Sequence, residues 1–200
     1  PTTSSAASDV YKRQILDKHD THCVFYAHAS VGELHFRPMI DTTSIEGVTK
    51  MKQMAQEFAG TVRRYRGSLS GEHGDGRART PFIEEVLGAD MTPLLERVKD
   101  IWDPESLFNP GKIVRAEPME KGLRYSPEYR PLVAPTIFKW RKVGGFTYAL
   151  ELCNGAGVCR KLAESGGTMC PSYMATRDEK DSTRGRANVF RHVFSGGNPE

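Results

Sequence analysis

The spacing of apolar residues along the chain predicts a β-hairpin followed by a helix. Between Thr21 and Ile40 the side chains alternate with a period of two on both sides of a glycine-containing turn. The apolar residues that follow recur every three to four positions, and Thr43 and Glu46 are placed as a capping box at the start of that helix. A further short strand is expected over residues 65–72, before a glycine-rich loop.

Two shorter helices are predicted farther along the chain. Thr80-Pro81 and Thr92-Pro93 each place a proline in the first turn of a helix. Because strands precede the first long helix and more helices follow, the pattern indicates the α+β class. Scattered prolines between residues 115 and 145 indicate an extended connector.

These patterns divide the chain into four segments. Residues 1–14 have no periodic pattern and are expected to be disordered or foreign to the native protein. Residues 15–114 form a first domain, 115–145 a linker, and 146–200 the beginning of a second domain. The chain starts at Pro1 without an initiator methionine, so we expect it to be a fragment of a longer protein.

Composition narrows the classes of function. The 200 residues are 38% hydrophobic and 26% charged, which is typical of a globular protein and excludes a disordered chain. No run approaches the ~18 apolar residues of a membrane-spanning helix, and a net charge of +3 does not by itself indicate nucleic-acid binding. Four cysteines without a signal peptide argue against a secreted disulfide-rich module. We therefore expect a cytoplasmic protein, with peripheral attachment to a membrane left open.

The candidate chemistry lies in two histidines and a Glu-His pair between glycines. His28 and His35 flank a six-residue turn and, if the strands pair, face each other across the hairpin. Glu72 and His73 lie in a turn where neighbouring side chains can point to different ligands. Two imidazoles and one carboxylate can form a metal site with an open position, as catalytic sites do. Ordinary surface histidines and a solvated turn are the alternative.

Three segments that contain these residues occur in the order found in a known family. They are His28-Ala-Ser-Val-Gly-Glu-Leu-His35, Gly67-Ser-Leu-Ser-Gly-Glu72-His73-Gly and Phe108-Asn109-Pro110-Gly111-Lys112-Ile113. Together they resemble the C-terminal domain of FAD-linked oxidases, the group of glycolate oxidase subunits, D-lactate dehydrogenases and D-2-hydroxyglutarate dehydrogenases. The resemblance covers residues 22–114 and implies a ferredoxin-like sheet with helices on one side, which caps a separate FAD-binding domain.

The resemblance also implies roles for individual residues. It implies a divalent metal site made of His28, His35 and Glu72. His73 is then the catalytic base and Asn109 lies near the flavin. Zinc is expected because the flavin carries out the oxidation, although iron or manganese also suits two imidazoles and a carboxylate. Arg37 stands where family members often have asparagine, and a guanidinium suits an additional substrate carboxylate.

The second region contains Cys153, Cys159 and Cys170, the last followed by proline. This spacing matches the bacterial ferredoxin pattern only at its Cys-Pro end, so a zinc knuckle or unlinked buried thiols also fit. The stretch 151–191 resembles the start of the iron–sulfur domain in large bacterial FAD/Fe–S dehydrogenases. The resemblance implies a mostly helical, truncated ferredoxin-type domain with a 4Fe-4S cluster whose remaining ligands lie beyond residue 200. Cys23 is expected to be a core thiol.

These features predict part of a flavin-dependent 2-hydroxy-acid dehydrogenase of the D-lactate or D-2-hydroxyglutarate type, inactive as a fragment. Its FAD, bound mainly outside this segment, is expected to pass electrons through iron–sulfur clusters to an external acceptor. The alternative is a non-catalytic iron–sulfur electron-transfer or assembly subunit, in which the two histidines and Glu72 have no catalytic role.

Overall fold

The computed structural model describes residues 2–28, 30, 32–133, 135–167 and 169–195. These residues form two compact units that divide between Pro127 and Glu128, a boundary inside the stretch 115–145 that the prolines mark as a connector. Within the described ranges, no helix is both long and apolar enough to span a membrane.

The first unit combines a two-stranded antiparallel sheet with helices. Its elements are α1 (Thr2–Lys18), β1 (Cys23–His28), β2 (Glu33–Pro38), α2 (Ile45–Arg64), α3 (Gly76–Arg79), α4 (Ile83–Leu87) and α5 (Met91–Trp102). The α+β class is as predicted, but the described residues form a smaller sheet than the ferredoxin-like sheet expected. The strand predicted over 65–72 is a loop, because Arg66 has a φ of 54° and the Gly67 N–H bonds back to the Val62 carbonyl at 2.9 Å.

Helix α1 includes residues that the sequence analysis left out of the fold. Residues 2–14 belong to this helix, and the Tyr11 ring lies 5.6 Å from the ring of Tyr65. At its C-terminal end, Ile15 and Leu16 are buried against Met54 of α2 and form the hydrophobic core of the unit. Helix α1 therefore supports the base of the hairpin.

The two faces of the hairpin differ in character, because successive side chains of a strand point to opposite sides. One face carries Cys23, Phe25, Ala27, Leu34 and Phe36. It packs toward the helices, with the Phe36 ring 4.7 Å from the ring of Phe58 in α2. The opposite face, here called the polar face, carries Val24, Tyr26, His28, Glu33, His35 and Arg37.

Helix α2 begins at a serine cap rather than at the predicted capping box. The Ser44 hydroxyl accepts the Gly47 N–H at 2.9 Å and donates to the Asp41 carbonyl at 3.1 Å. Thr43 instead donates its N–H and hydroxyl to the Asp41 carboxylate, which lowers the pKa of Asp41. The predicted capping box of Thr43 and Glu46 was therefore wrong by one residue. Ser44, not Thr43, accepts a free N–H group in the first turn of the helix.

The surroundings of two glycines in α2 predict opposite effects of alanine substitution on stability. A Cβ at Gly47 would clash with the Asp41 carbonyl oxygen, whereas a Cβ at Gly60 would meet its nearest atom, Glu85 Oε1, at 3.6 Å. Gly47→Ala is expected to destabilise the protein by about 1–3 kcal/mol. Gly60→Ala, the matched control, is expected to be neutral or stabilising by up to about 1 kcal/mol. Thermal unfolding of the two variants tests this, and equal effects would contradict it.

The second unit is mostly helical. Its α-helices are α6 (Phe146–Glu151), α7 (Pro171–Thr176) and α8 (Thr183–Phe194), joined by loops with short 3-10 turns. The Phe146 ring of α6 lies 5.9 Å from Phe190 and 5.6 Å from Phe194 of α8. Ser182 caps α8 as Ser44 caps α2, by accepting the Gly185 N–H at 2.8 Å.

Candidate metal and substrate site

The polar face of the hairpin brings His28 and His35 together. Their ring centroids are 4.9 Å apart and their planes are nearly perpendicular. The prediction that they lie directly opposite was wrong, because His28 pairs with Glu33 and His35 pairs with Tyr26. Pairing extends to Glu33 and leaves a connection of four residues, 29–32. A shift of two residues keeps both imidazoles on one face, so they become diagonal neighbours.

The loop after α2 adds Glu72 to the two histidines. Its carboxylate Oε1 lies 3.3 Å from Nε2 of His35, and its Oε2 lies 3.7 Å from Nε2 of His28. The loop approaches the hairpin at Gly71, where any Cβ would clash with the carboxylate of Glu33. A Cβ at this position would require the flexible Glu33 side chain to move, so the loop backbone lies close to the polar face beside Glu72.

These three residues suit a divalent metal ion. One donor atom from each of His28, His35 and Glu72 lies within 4.8 Å of the other two. A tetrahedral ion about 2.0–2.2 Å from each donor would hold the donors about 3.3–3.5 Å apart, so small side-chain rotations complete the site. Nε2 of His35 is buried and makes no hydrogen bond to any described residue. A buried imidazole nitrogen without a hydrogen-bond partner is energetically costly, and a metal ion would satisfy it.

His73 lies beside this group rather than apart from it. The sequence analysis expected Glu72 and His73 to point to different ligands, but Nε2 of His73 lies 2.6 Å from Oε1 of Glu72. The backbone N–H of His73 donates to the Ser70 hydroxyl at 3.1 Å. The His73 side chain is 67% exposed. His73 thus adds an accessible third imidazole to the Glu72 carboxylate.

Arg37 extends the polar face beyond His35. Its Nη2 donates to the Tyr26 hydroxyl at 2.9 Å, and the guanidinium carbon lies 5.3 Å from the centre of the Tyr26 ring. The Tyr26 ring stacks on His35 with a centroid distance of 4.3 Å. The sequence analysis missed Tyr26, although a tyrosine two residues before His28 on an alternating strand marks it as a neighbour on the same face.

Asn109 lies apart from the histidines, on an exposed loop after α5 with a φ of 46°. The loop is anchored by the buried Asp103, whose carboxylate accepts the N–H groups of Leu107 at 2.8 Å and Phe108 at 2.9 Å. Lys99 also donates to this carboxylate and, with those two N–H groups, lowers the pKa of Asp103. The Asp103-Pro104 pair predicts the end of α5, which is confirmed, but the sequence did not predict that the Asp103 carboxylate anchors the following loop.

The anchor predicts a pH-dependent stability. A carboxyl group whose pKa is lowered by folding stabilises the protein above its unfolded pKa of about 3.9, and the effect is lost as the pH falls through the lower folded value. Asp103→Asn is therefore expected to lower the unfolding temperature by several degrees at neutral pH and by progressively less as the pH falls below about 4. Calorimetry at several pH values checks this. An equal decrease at pH 7 and pH 3 would contradict it.

The three cysteines of the second unit gather around the start of α8. The Arg184 N–H donates to Cys159 Sγ at 3.4 Å, and the Thr183 hydroxyl donates to Cys170 Sγ at 3.8 Å. The N–H of Tyr173 and the Thr183 hydroxyl lower the pKa of the Cys170 thiol. Hydrogen bonds to Glu179 raise the pKa of the Arg184 guanidinium, with smaller contributions from the Cys159 and Cys153 thiols nearby.

Cys23 has a different environment in the first unit. It packs against the core of Ile15, Leu16 and Met54, as expected of a core thiol. Burial raises the pKa of its thiol, which disfavours the thiolate that a metal ion would require.

A comparison with known protein families identifies one family that this chain matches. Residues 5–113 match the sequence profile of the C-terminal domain of FAD-linked oxidases. This match begins within the segment 1–14 that the sequence analysis set aside. No solved structure gives a significant match to the chain.

Three curated relatives show how far the similarity extends. A D-2-hydroxyglutarate dehydrogenase of Pseudomonas putida is 33% identical over 181 residues, and one of Escherichia coli is 31% identical over 185 residues. Each alignment covers 90% of this chain and 17–18% of the relative. A D-lactate dehydrogenase of Anaerostipes hadrus is 31% identical over 116 residues, 56% of this chain and 24% of that relative. The chain therefore spans less than a quarter of the length of these relatives.

Proposed function

The chain belongs to the family of FAD-linked oxidase C-terminal domains, and we propose that it is the metal- and substrate-binding part of a flavin-dependent 2-hydroxy-acid dehydrogenase. The observation that carries this proposal is the convergence of His28, His35 and Glu72 on one point beside His73. A non-catalytic electron-transfer subunit has no need for three such ligands next to an accessible imidazole.

The division of labour at the site follows from these positions. His28, His35 and Glu72 would hold the metal ion, with zinc the expected choice because two imidazoles and a carboxylate suit it and the reaction needs no redox change at the metal. A bound metal ion would supply polarisation of the substrate hydroxyl, and a bound flavin would supply the hydride acceptor. His73 would accept the hydroxyl proton on its imidazole, since the side chain is exposed and adjacent to the site. The substrate thereby loses one hydride and one proton and becomes the 2-oxo acid.

The position of Asn109 supports a contact with the flavin. Its loop exposes the adjacent side chains of Leu107 and Phe108, which are 70% and 72% exposed. Their backbone N–H groups are held by the Asp103 carboxylate. Apolar side chains held outward by a buried carboxylate suit docking against another protein surface. We infer that this loop faces the FAD, which other parts of the full-length protein bind.

The substrate class is inferred from Arg37 and from the relatives. Four relatives that match 90% of the chain are named D-2-hydroxyglutarate dehydrogenases, whereas the D-lactate dehydrogenase of Anaerostipes hadrus matches 56%. A guanidinium on the same face as the histidines suits a second carboxylate. We propose D-2-hydroxyglutarate or a close diacid rather than D-lactate.

The second unit is proposed to carry electrons from the flavin toward an external acceptor through a 4Fe-4S cluster. Cys153, Cys159 and Cys170 would supply three of its ligands. A single zinc ion would hold three thiolates about 3.8 Å apart, and among the described residues these sulfurs do not meet even a 4.8 Å limit as a set. The Cys-Pro ending at Cys170, which the bacterial ferredoxin pattern shares, is what supports a cluster here.

Anaerobic mixing of the full-length protein with D-2-hydroxyglutarate tests the proposed activity. We expect the flavin absorption to bleach, the reaction to stop after the metal is removed by a chelator, and zinc to restore it. A flavin that neither D-2-hydroxyglutarate nor D-lactate reduces in the metal-loaded protein would refute the proposal.

A further inference from the structure

We propose that Tyr26 is a positioning residue that holds Arg37 in place to bind the second carboxylate of a 2-hydroxy diacid. This inference rests on the proposed function. The phenol hydroxyl of Tyr26 accepts a 2.9 Å hydrogen bond from Arg37 Nη2, and the guanidinium carbon lies 5.3 Å from the centre of the ring. One tyrosine therefore fixes the arginine by a hydrogen bond and by a cation–π contact at the same time.

The same ring also fixes Arg37 relative to the metal ligands. The Tyr26 ring stacks on His35 at 4.3 Å with planes 11° apart, and the two residues are directly paired across the hairpin. Arg37 follows His35 by two positions on β2, on the same face. Tyr26 thus contacts both the histidine that would bind the metal and the guanidinium.

The spacing of His35 and Arg37 along β2 is comparable to the length of a five-carbon diacid. Two residues along a strand span about 6.6–6.8 Å. Four carbon–carbon bonds of about 1.5 Å separate the carboxyl carbons of 2-hydroxyglutarate by about 5 Å in the extended form. With the 2-hydroxy acid end at the histidines, the other carboxylate would extend along the polar face toward Arg37. A monoacid leaves that guanidinium without a ligand.

Arg37 is also electrostatically free to bind an anion. It is exposed, and no carboxylate of the described residues lies within ion-pair distance of it. Its hydrogen-bond acceptor, the Tyr26 phenol, is neutral. The positive charge is therefore oriented without being neutralised, which is what recognition of a carboxylate requires.

The test compares two substrates that differ only in the second carboxylate. D-2-hydroxyglutarate and D-2-hydroxyvalerate have the same five-carbon chain, and each can be measured in the full-length protein as a substrate or as an inhibitor. Arg37→Met is expected to raise the KM for the diacid about 10- to 100-fold, and Tyr26→Phe about 3- to 10-fold, with kcat little changed. The KM or inhibition constant of the monoacid should not change in either variant.

The double variant separates positioning from a general structural role. If Tyr26 acts through Arg37, the combined Tyr26→Phe and Arg37→Met variant loses no more affinity for the diacid than Arg37→Met alone. Zinc content should be unchanged throughout, since phenylalanine keeps the ring against His35. The controls are Arg97→Met and Tyr148→Phe, which alter exposed residues outside the site.

Three results would overturn the inference while leaving the proposed function intact. They are an equal loss for diacid and monoacid in Tyr26→Phe, additive losses in the double variant, and an unchanged KM for the diacid in Arg37→Met. Failure of the proposed function looks different, because the wild-type protein would then bleach its flavin with neither acid.

Discussion

Replacing His73 by glutamine in the full-length protein is expected to slow the reduction of its flavin by substrate about 10²- to 10⁴-fold. A hydride leaves the substrate carbon easily only while the neighbouring hydroxyl loses its proton. The His73 imidazole is exposed and adjacent to the metal-binding group, with Nε2 2.6 Å from Oε1 of Glu72. Glutamine keeps a polar side chain of similar reach but cannot accept a proton. Stopped-flow absorbance of the flavin under anaerobic conditions measures the rate.

Two further measurements make the His73 result specific. His73→Gln should retain its flavin and its metal, because the three proposed ligands are unchanged. His22→Gln, which alters an exposed histidine of the same unit outside the site, should reduce its flavin at the wild-type rate. A His73→Gln protein with near-normal flavin reduction would show that another group accepts the proton.

Glu72→Gln is expected to remove the metal before it alters anything else. The carboxylate is the only negative charge among the three ligands, and it contacts both His28 and His35. Loss of a residue that merely supports a ligand lowers metal affinity about 10- to 100-fold, so loss of a charged ligand itself should lower it by more. Zinc affinity from competition with a chromophoric chelator measures the effect. Flavin reduction should fall in parallel and recover in part at high zinc concentration.

The matched control for Glu72 is another carboxylate on the same face. Glu33 pairs with His28 across the hairpin and its carboxylate packs against the backbone at Gly71, but it is not part of the converging group. Glu33→Gln should keep its zinc. If Glu33→Gln and Glu72→Gln lose zinc equally, the ligand set is wrong.

The sequence predicted that His28 and His35 lie near each other because strand periodicity fixes which residues share a face. His28, His35 and Arg37 lie on one face whichever way the register moves by two, so their grouping survived an error in the pairing. The register itself depends on the length of the connection, which was predicted as six residues and is four. Direct opposition of the two histidines was therefore predicted wrongly while their proximity was not.

Contacts that depend on tertiary structure were out of reach. Residues 65–72, expected to form a strand, begin with a turn that ends α2. Arg66 adopts a left-handed conformation there, and the Gly67 N–H bonds back to the Val62 carbonyl. Helix α1 was missed because it has no periodic apolar pattern of its own. It is stabilised by packing against α2. Strand alternation places Tyr26 on the face of His28, but its contacts with His35 and Arg37 depend on the register of the neighbouring strand.

Zinc K-edge X-ray absorption of the metal-loaded full-length protein tests the central claim most directly. If His28, His35 and Glu72 hold the ion, the spectrum shows one zinc per chain with nitrogen and oxygen ligands at about 2.0–2.2 Å and the outer-shell scattering of two imidazoles. Glu72→Gln should abolish that signal. A protein that binds no zinc, or a zinc surrounded by sulfur at about 2.3 Å as the cysteines of the second unit would provide, would contradict the account.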